Sequence, residues 1–361
     1  MEIIIDKKRL ENIALIVSNY VEKKDNTSTN SQIQLIAFDN ELTLRASDTE
    51  IGIEYKIRNC NVLENGSIFI NGKKFIDILK SLNNDNIKIK KLEKSIKITQ
   101  NKTNFSLPII NKYDFNFIEN NYEKNPILIS SNELNKGFKM IVPAIDNNGT
   151  SFQFSCACID ILKNKIIFVG TDSKKLNLYT IESNNDNEDR IIITKKSILE
   201  LMKLLNEEVK VYKNKTYFII ENDNFMFYTK LALIDYLPYK DVIPQREPTQ
   251  LLKLNNESFL NEIKKLSAVS MKTELTFENN KIIFKNNSID GNDLNETNVV
   301  SELEINSNID ETFEINLTNK YMMDFLNLNE NENFDFKFFA KTAPVIFESK
   351  NFMSIITVNK N

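Results

Sequence analysis

Apolar positions fall on helical spacing in three stretches that recur at a fixed interval along the chain. In KFIDILKSLNN (74–84), SILELMKLLNE (197–207) and YMMDFLNLNEN (321–331) the stripes read Phe75, Leu79 and Leu82, then Ile198, Met202 and Leu205, then Tyr321, Phe325 and Leu328. Spacings of i, i+4 and i+7 share one face of a helix, so each stretch is predicted to be an amphipathic helix with a buried stripe. From Leu82 to Leu205, and again from Leu205 to Leu328, the step is 123 residues. One helix repeated three times in register predicts a triplicated unit.

The repeat extends on both sides of these helices. Near the front of each unit a second stripe predicts another helix: Leu10, Ala14 and Val17; Leu134, Phe138 and Ile141; Phe259, Ile263 and Leu266. Alternating segments at 87–109, 209–233 and 334–358 follow the later helices and predict strands. RASDTEIGIEYKI (45–57) stands 124 residues before VGTDSKKLNLYTI (169–181). Each unit therefore reads helix, strands, helix, strands. The expectation is an α+β chain of three domains, 1–123, 124–246 and 247–361. Polar links at Asn120–Asn125 and Gln245–Pro248 separate them. A domain of this size can bury its own core. Asn-rich pieces such as Asn184–Asn187 and Asn327–Asn333 read as surface turns.

Composition removes many functions. The sequence has no histidine, which excludes Ser–His and Cys–His catalysis and any zinc site with histidine ligands. Cys60, Cys156 and Cys158 form no C-x-x-C pair and read as small buried residues, not metal ligands. Seven glycines provide neither a P-loop nor a G-x-G-x-x-G turn. Asp48 and Asp172 are acids at equivalent points of two repeats, and each reads as an acceptor for nearby backbone N–H groups. No catalytic residue, cofactor or metal is expected. The N-terminus MEIIIDKKRL reads as a strand entering a helix, not a signal peptide, and no apolar run reaches membrane-spanning length. The expectation is a soluble, cytoplasmic protein.

Charge distribution says more than the net charge of −4. Counted over 7–24, 72–82, 131–142, 195–205, 255–267 and 318–328, the predicted helices sum to +8 and everything else to −12. Basic helices meet phosphates through a sequence-independent Coulomb attraction that permits sliding. Base readout favours arginines on guanine edges, and arginine is scarce here. Non-specific, mobile binding to duplex DNA is the expectation.

Several segments carry a resemblance to a known family: INGKKFIDILKSL (70–82), FSLPIINKYDF (105–115), VGTDSKKLNLYT (169–180), ITKKSILELMKLL (193–205), YLPYKDVIP (236–244) and LTNKYMMDFL (317–326). Together, T-D-x-x-[RK]-L and Y-x-x-V-[IL]-P at this spacing resemble the bacterial DNA polymerase III beta subunit, the replicative sliding clamp, along the whole chain. The resemblance implies three clamp-type domains, each with two inner helices and outer antiparallel sheets. It also implies two chains closing head to tail into a ring around duplex DNA. Partners implied are the replicative polymerase, the clamp loader and repair polymerases, each inserting a short linear motif between the second and third domains.

Carried over residue by residue, the resemblance places that peptide pocket at Phe154, Thr171, Ser173, Lys174, Lys175, Leu176, Leu237, Pro238, Val242, Ile355, Ile356 and Val358. It implies DNA contacts at Lys23, Lys24, Lys73, Lys74, Asn148, Phe152, Gln153, Lys195 and Lys196. The dimer contact it implies joins Phe105 and Leu107, on an edge strand, to Leu266 of the partner. The chain departs from the family pattern at Lys174-Lys175, where His-Arg is usual, at Asp241, where a basic residue is common, and in the tail ITVNKN. Lysine for arginine loses planar, bidentate bonding. The reading is a homodimeric, non-enzymatic processivity clamp. Its alternatives are a monomeric repeat scaffold for protein interaction, which would not need basic helices, and a carboxylate nuclease, for which no acid cluster recurs.

Overall fold

The computed structural model describes residues 1–22, 31–110, 117–118, 126–147, 151–286, 298–307, 309 and 311–359. The first stretch of chain gives β1 (Glu2–Asp6), α1 (Lys7–Val17), β2 (Gln32–Phe38), β3 (Glu41–Ser47), β4 (Ile51–Ile57), β5 (Asn61–Glu64), β6 (Gly66–Asn71), α2 (Gly72–Ser81), β7 (Asn86–Lys91), β8 (Ser95–Gln100) and β9 (Thr103–Ile110). The second gives α3 (Ser131–Ile141), β10 (Cys156–Leu162), β11 (Lys165–Thr171), β12 (Lys175–Glu182), β13 (Asp189–Thr194), α4 (Lys195–Met202), β14 (Lys210–Lys213), β15 (Tyr217–Glu221) and β16 (Phe225–Lys230). The third gives β17 (Gln250–Asn255), α5 (Asn256–Ser267), β18 (Lys272–Glu278), β19 (Lys281–Asn286), β20 (Val300–Glu304), β21 (Phe313–Thr318), α6 (Asn319–Leu328), β22 (Asn333–Phe338), β23 (Val345–Ser349) and β24 (Phe352–Ile356).

The helices start where short polar side chains can cap them. Asp6 accepts from Arg9 N at 2.7 Å, Asn71 from Lys74 N at 3.0 Å and Asn255 from Ser258 N at 2.9 Å. The front stripes are buried as expected: Leu10, Ala14 and Val17, then Leu134, Phe138 and Ile141, then Phe259, Ile263 and Leu266. Of the later stripes, Phe75, Leu79 and Leu82 are buried as expected, but the other two need correction. On α4 the buried residues are Ile198 and Leu201, with Met202 half-buried at the helix end. On α6 they are Met322, Phe325 and Leu326, while Tyr321 and Leu328 are half-exposed. The residue before α6, Thr318, lies 124 positions after Thr194, whereas Thr194 lies 123 after Asn71. That extra residue rotates the third stripe by one position. Also, α1 ends at Val17, so Lys23 and Lys24 are not part of it and its charge surplus drops from the expected +3 to +2.

Contacts divide the chain into two compact units, Met1–Ser131 with Leu199–Leu231, and Asn132–Ile198 with Ala232–Asn361. Each takes part of the middle repeat, because strands from successive repeats zip into shared sheets. In the first unit a twelve-stranded sheet runs β14-β15-β16-β4-β3-β2-β6-β9-β8-β7-β1-β5. Its seam is β4 against β16, antiparallel, with Ile53 opposite Phe227 and Gly52 opposite Tyr228. Gly52 is required there: a Cβ would come within 2.3 Å of the Tyr228 ring, whose hydroxyl hydrogen-bonds Ser47 Oγ at 2.8 Å. The second unit has an eight-stranded sheet, β13-β10-β11-β12-β24-β23-β22-β17, and a four-stranded one, β20-β19-β18-β21. Here the seam is β12 against β24, again antiparallel. The third strand after the first helix of one repeat against the last strand of the next is thus a recurring rule.

The two matching aspartates are turn acceptors, as expected. Asp48 Oδ1 accepts from Glu50 N and Ile51 N, both at 2.9 Å. Asp172 Oδ1 accepts from Lys174 N at 2.9 Å and Lys175 N at 2.7 Å. The turn at Asp172 needs Ser173 in the left-handed region, at φ 75°. All three cysteines are free thiols and buried.

Candidate functional site

Strand alternation decides which of the expected pocket residues meet. Across β11, β12, β24 and β23 the register aligns Thr171, Leu176, Ile355 and Ile346 in one row. Side chains one residue along point to the opposite face. Leu176, Ile355 and Ile346 join Cys158, Val169 and Ile167 in a buried cluster, and the 232–243 segment covers it with Tyr236, Tyr239, Leu237 and Ile243.

That segment is tied down by a polar clasp which the sequence reading did not single out. Asp160, on β10, is buried and its Oδ2 accepts from Tyr239 Oη at 2.7 Å. Arg190 donates through Nε to Oδ1 at 2.5 Å and through Nη2 to Oδ2 at 3.0 Å. Burial opposes the charge on Asp160, but the hydrogen bonds from Arg190 and Tyr239 outweigh it and hold the carboxyl below its ordinary value. Burial, the bond to Asp160 and its charge push the Tyr239 hydroxyl in the other direction, so it remains a donor. Tyr236 Oη reaches the carbonyl of Cys156 at 3.4 Å. Asp160 and Arg190 are opposite partners on β10 and β13, so the sheet itself places the clasp. The available signal was the pair of tyrosines three apart in YLPYKDVIP.

Lys175 and Ile356 lie on the other face of the sheet. They are register partners, and Lys175 is only 1% exposed. Its ammonium is ion-paired with the Asp324 carboxylate of α6 and sits 5.0 Å from the centre of the Tyr321 ring. Burial pulls the Lys175 ammonium below the ordinary lysine value even against the attraction of Asp324. Tyr321 hydrogen-bonds Asp172, and burial first, then that carboxylate, raises its hydroxyl to about 12. Lys175 and Ile356, both expected in the pocket, thus lie on the face opposite to Leu176 and Ile355, as a period of two requires of neighbours.

The remaining residues expected in the pocket scatter around this row. Leu237 is half-buried against the cluster, Pro238 is exposed, and Val242 is 42% exposed, with Ile243 packing in its place. Ser173 and Lys174 are exposed at the β11–β12 turn. Phe154 is half-buried in a short 3-10 turn over Phe152–Ser155, and Val358 lines a separate cavity with Asn316.

Comparison with known proteins gives this arrangement its family. Residues 1–119 match the DNA polymerase III beta subunit N-terminal domain, and residues 128–236 match its central domain. The beta sliding clamp of Helicobacter pylori strain J99 is 30% identical over 356 residues, covering 96% of this chain and 94% of that protein. This chain belongs to the DNA polymerase III beta subunit family. The beta sliding clamp of Staphylococcus aureus is 24% identical over 337 residues, 88% of this chain. Among solved structures, the H. pylori beta clamp bound to a DNA ligase peptide superposes with a TM-score of 0.89 at 27% identity, each chain fully covered. The same clamp in complex with diflunisal gives 0.91 at 26%. The fold is thus the beta-clamp fold.

Other family positions fall as follows. Lys73 and Lys74 are exposed in the first turn of α2. Lys196 is exposed in the first turn of α4, but Lys195 beside it is half-buried and donates to the Ile145 carbonyl at 2.7 Å. Burial, then Lys320 and Lys175, lower the Lys195 ammonium. Phe152 is 57% exposed, and Gln153 donates to the Asp235 carbonyl at 3.3 Å. Lys23, Lys24 and Asn148 lie outside the described residues. Of the three residues expected at a dimer contact, Leu107 and Leu266 are buried in the chain's own core and Phe105 is half-exposed. Strand β9 borders the sheet edge only in part: Ile109 and Ile110 pair with β6, while 103–108 pair with β8 alone among the described residues.

Proposed function

We propose that this protein is the replicative sliding clamp of its cell, a homodimeric ring of two three-domain chains that encircles duplex DNA and tethers polymerases to it. The observation that carries the reading is the seam rule. The third strand after the first helix of the first repeat (β4) pairs with the last strand of the second (β16), and the matching strand of the second, β12, pairs with β24 of the third. The rule leaves over the third strand after α5, β20, and the last strand of the first repeat, β9. Among the described residues β20 is an edge strand and β9 pairs on one side only over 103–108. Within one chain the rule cannot be completed by sequence order; two chains complete it by pairing β20 of each with β9 of the other. Open edges invite such pairing, and a head-to-tail contact that closes gives a ring.

Helix chemistry supports the DNA part of the reading. Lysines open α2 (Lys73, Lys74), α4 (Lys195, Lys196) and α6 (Lys320). A cation in the first turn opposes the helix dipole at a cost of about 0.3–1 kcal/mol. Helix propensity explains lysine in a helix but not at this end. Phosphate is the partner that first-turn N–H groups and lysines favour together. The clamp needs no catalytic group for this work. In the same reading, a short linear motif of a polymerase, clamp loader or repair enzyme docks over the Leu176–Ile355 row, with Leu237, Pro238 and Val242 as its wall. The relative bound to a DNA ligase peptide supports that mode.

Register carried over from the two seams places Thr103 of one chain opposite the partner's Ser301. Thr103→Cys with Ser301→Cys should therefore oxidise to a covalent dimer, while either change alone should not. A doubly substituted chain that stays monomeric under oxidation would count against the closure.

A further inference from the structure

The second unit holds a cavity that the functions above do not use. It has a volume of about 360 Å³ and lies where the tail after β24 crosses the β18–β21 edge of the four-stranded sheet. Its lining includes Glu274, Glu314, Asn316, Lys341, Val358 and Asn359. Register explains why these polar groups converge: Glu274 faces Asn316 and Thr276 faces Glu314 across β18 and β21, so all four share one face. The tail is pinned beside them by Asn359, whose N–H donates to the Asn316 carbonyl at 2.8 Å and whose Nδ2 reaches Thr318 Oγ1 at 3.3 Å.

Two buried atoms on this face lack partners. Asn316 is only 3% exposed and Thr276 only 4%, yet neither Asn316 Oδ1 nor Thr276 Oγ1 has a hydrogen-bond partner among the described residues. A buried polar atom left unpaired costs about 1–3 kcal/mol. Nor does Glu274 or Glu314 have an ion-pair partner among the described residues; Glu274 is half-buried and Glu314 exposed. Two carboxylates against the Lys341 ammonium leave the lining at −1. What is missing is hydrogen-bond donors carrying positive charge.

We propose that this cavity is a subsite for an arginine side chain of a bound partner segment. Guanidinium supplies five donors in a plane, enough to meet Asn316 Oδ1 and both carboxylates together. The cavity adjoins the proposed docking row through the chain itself: Val358 and Asn359 follow Ile355 of that row by three and four residues. Neutralisation of Lys175 by Asp324 strengthens the case, because it removes one of the two rim lysines that would have favoured an acidic motif. The identity of the partner segment rests on the clamp reading; the chemistry of the cavity does not.

The test uses N-acetyl-arginine methylamide titrated into the full chain labelled at threonine methyls, with Thr276 and Thr342, which also lines the cavity, as reporters. Shifts should saturate with the arginine probe, and the neutral citrulline analogue should bind at least about tenfold more weakly. Glu274→Gln with Glu314→Gln should remove that preference, and Lys341→Ala should tighten binding. Equal binding of arginine and citrulline probes, no shift at either methyl, or an unchanged preference in the double variant would each overturn the subsite. A polymerase-motif peptide with arginine, or glutamine in its place, moved through its flanks then tests the connection. One flank position should gain about tenfold with arginine; no gain at any position while the peptide binds would overturn the link to the docking row. Failure of every peptide would count against the docking row and leave the probe titration to decide the cavity.

Discussion

Tyr239 Oη donates a 2.7 Å hydrogen bond to Asp160 Oδ2, a polar contact that adds to the packing of Tyr239 and Ile243 in fastening the 239–243 turn to the sheet that carries the proposed docking row. Asp160→Asn keeps the shape but weakens the bonds from Tyr239 and Arg190. Arg190 is 48% exposed at its side chain and can turn to solvent, so the loss should be moderate, about 1–3 kcal/mol at neutral pH. The sign of its pH dependence follows from the lowered carboxyl. A depressed folded value stabilises above the ordinary aspartate value of about 3.9, and that stabilisation disappears as pH falls through the lower folded value. Thermal melts of the wild type and Asp160→Asn should therefore differ by a constant amount from pH 5 to 8 and converge below pH 4. A gap that widens in acid would refute the assignment.

The buried ion pair on the opposite face makes a second, asymmetric prediction. Asp324→Asn strands the Lys175 ammonium, whose side chain has no solvent exposure, and should cost about 3–5 kcal/mol. Lys175→Met leaves Asp324, which is 21% exposed, able to reach water, and should cost clearly less. Combining the two should recover much of the stability lost in Asp324→Asn. Denaturant unfolding of the three variants decides the order; equal single losses would mean that Lys175 is not sealed in.

The docking row and its wall should separate in their effects. Leu176 is a core residue as well as floor, so Leu176→Ala should lower stability by about 2–5 kcal/mol whatever it does to binding. Val242 is exposed, so Val242→Asp should leave the melting temperature within a degree or two. It should nonetheless weaken a peptide carrying the replicative polymerase's own motif by roughly tenfold, the scale of one truncated anchor. Calorimetry that finds unchanged affinity for Val242→Asp would move the docking site away from the 239–243 turn.

For DNA, Lys73→Glu, Lys74→Glu and Lys196→Glu together should reduce duplex affinity equally for all sequences and flatten its dependence on salt. The same changes place acids in helix first turns, so the variant should melt no lower than the wild type and by the dipole argument slightly higher. Loss of binding accompanied by loss of stability would point to misfolding instead of lost phosphate contacts. Lys195 is left out because its bond to the Ile145 carbonyl gives it a structural task.

The chain announced its repeats, its helices and its strand segments, because burial periodicity is a local property. The aspartate turns at Asp48 and Asp172 were legible for the same reason. What the sequence concealed depends on pairing between distant strands. Lys175 and Leu176 are neighbours in any motif, yet the β12–β24 register sends one to Asp324 and the other to Ile355. Asp160, Arg190 and Tyr239 are far apart along the chain and meet only because β10 and β13 pair. A single inserted residue before α6 was enough to misplace Tyr321 as core. Leu107 and Leu266, expected at a contact between chains, are buried within the single chain, and β20, an edge strand among the described residues, did not figure in the sequence reading.

The claim that the protein works as a closed ring is tested most directly by DNA topology. The labelled chain is loaded onto nicked circular DNA with the clamp loader from the same cell, and the DNA is then cut once with a restriction enzyme. Retention on the intact circle at high salt, with release on linearisation, is the predicted result, since a ring that only encircles DNA slides off an end. Equal retention on circular and linear DNA would contradict the account.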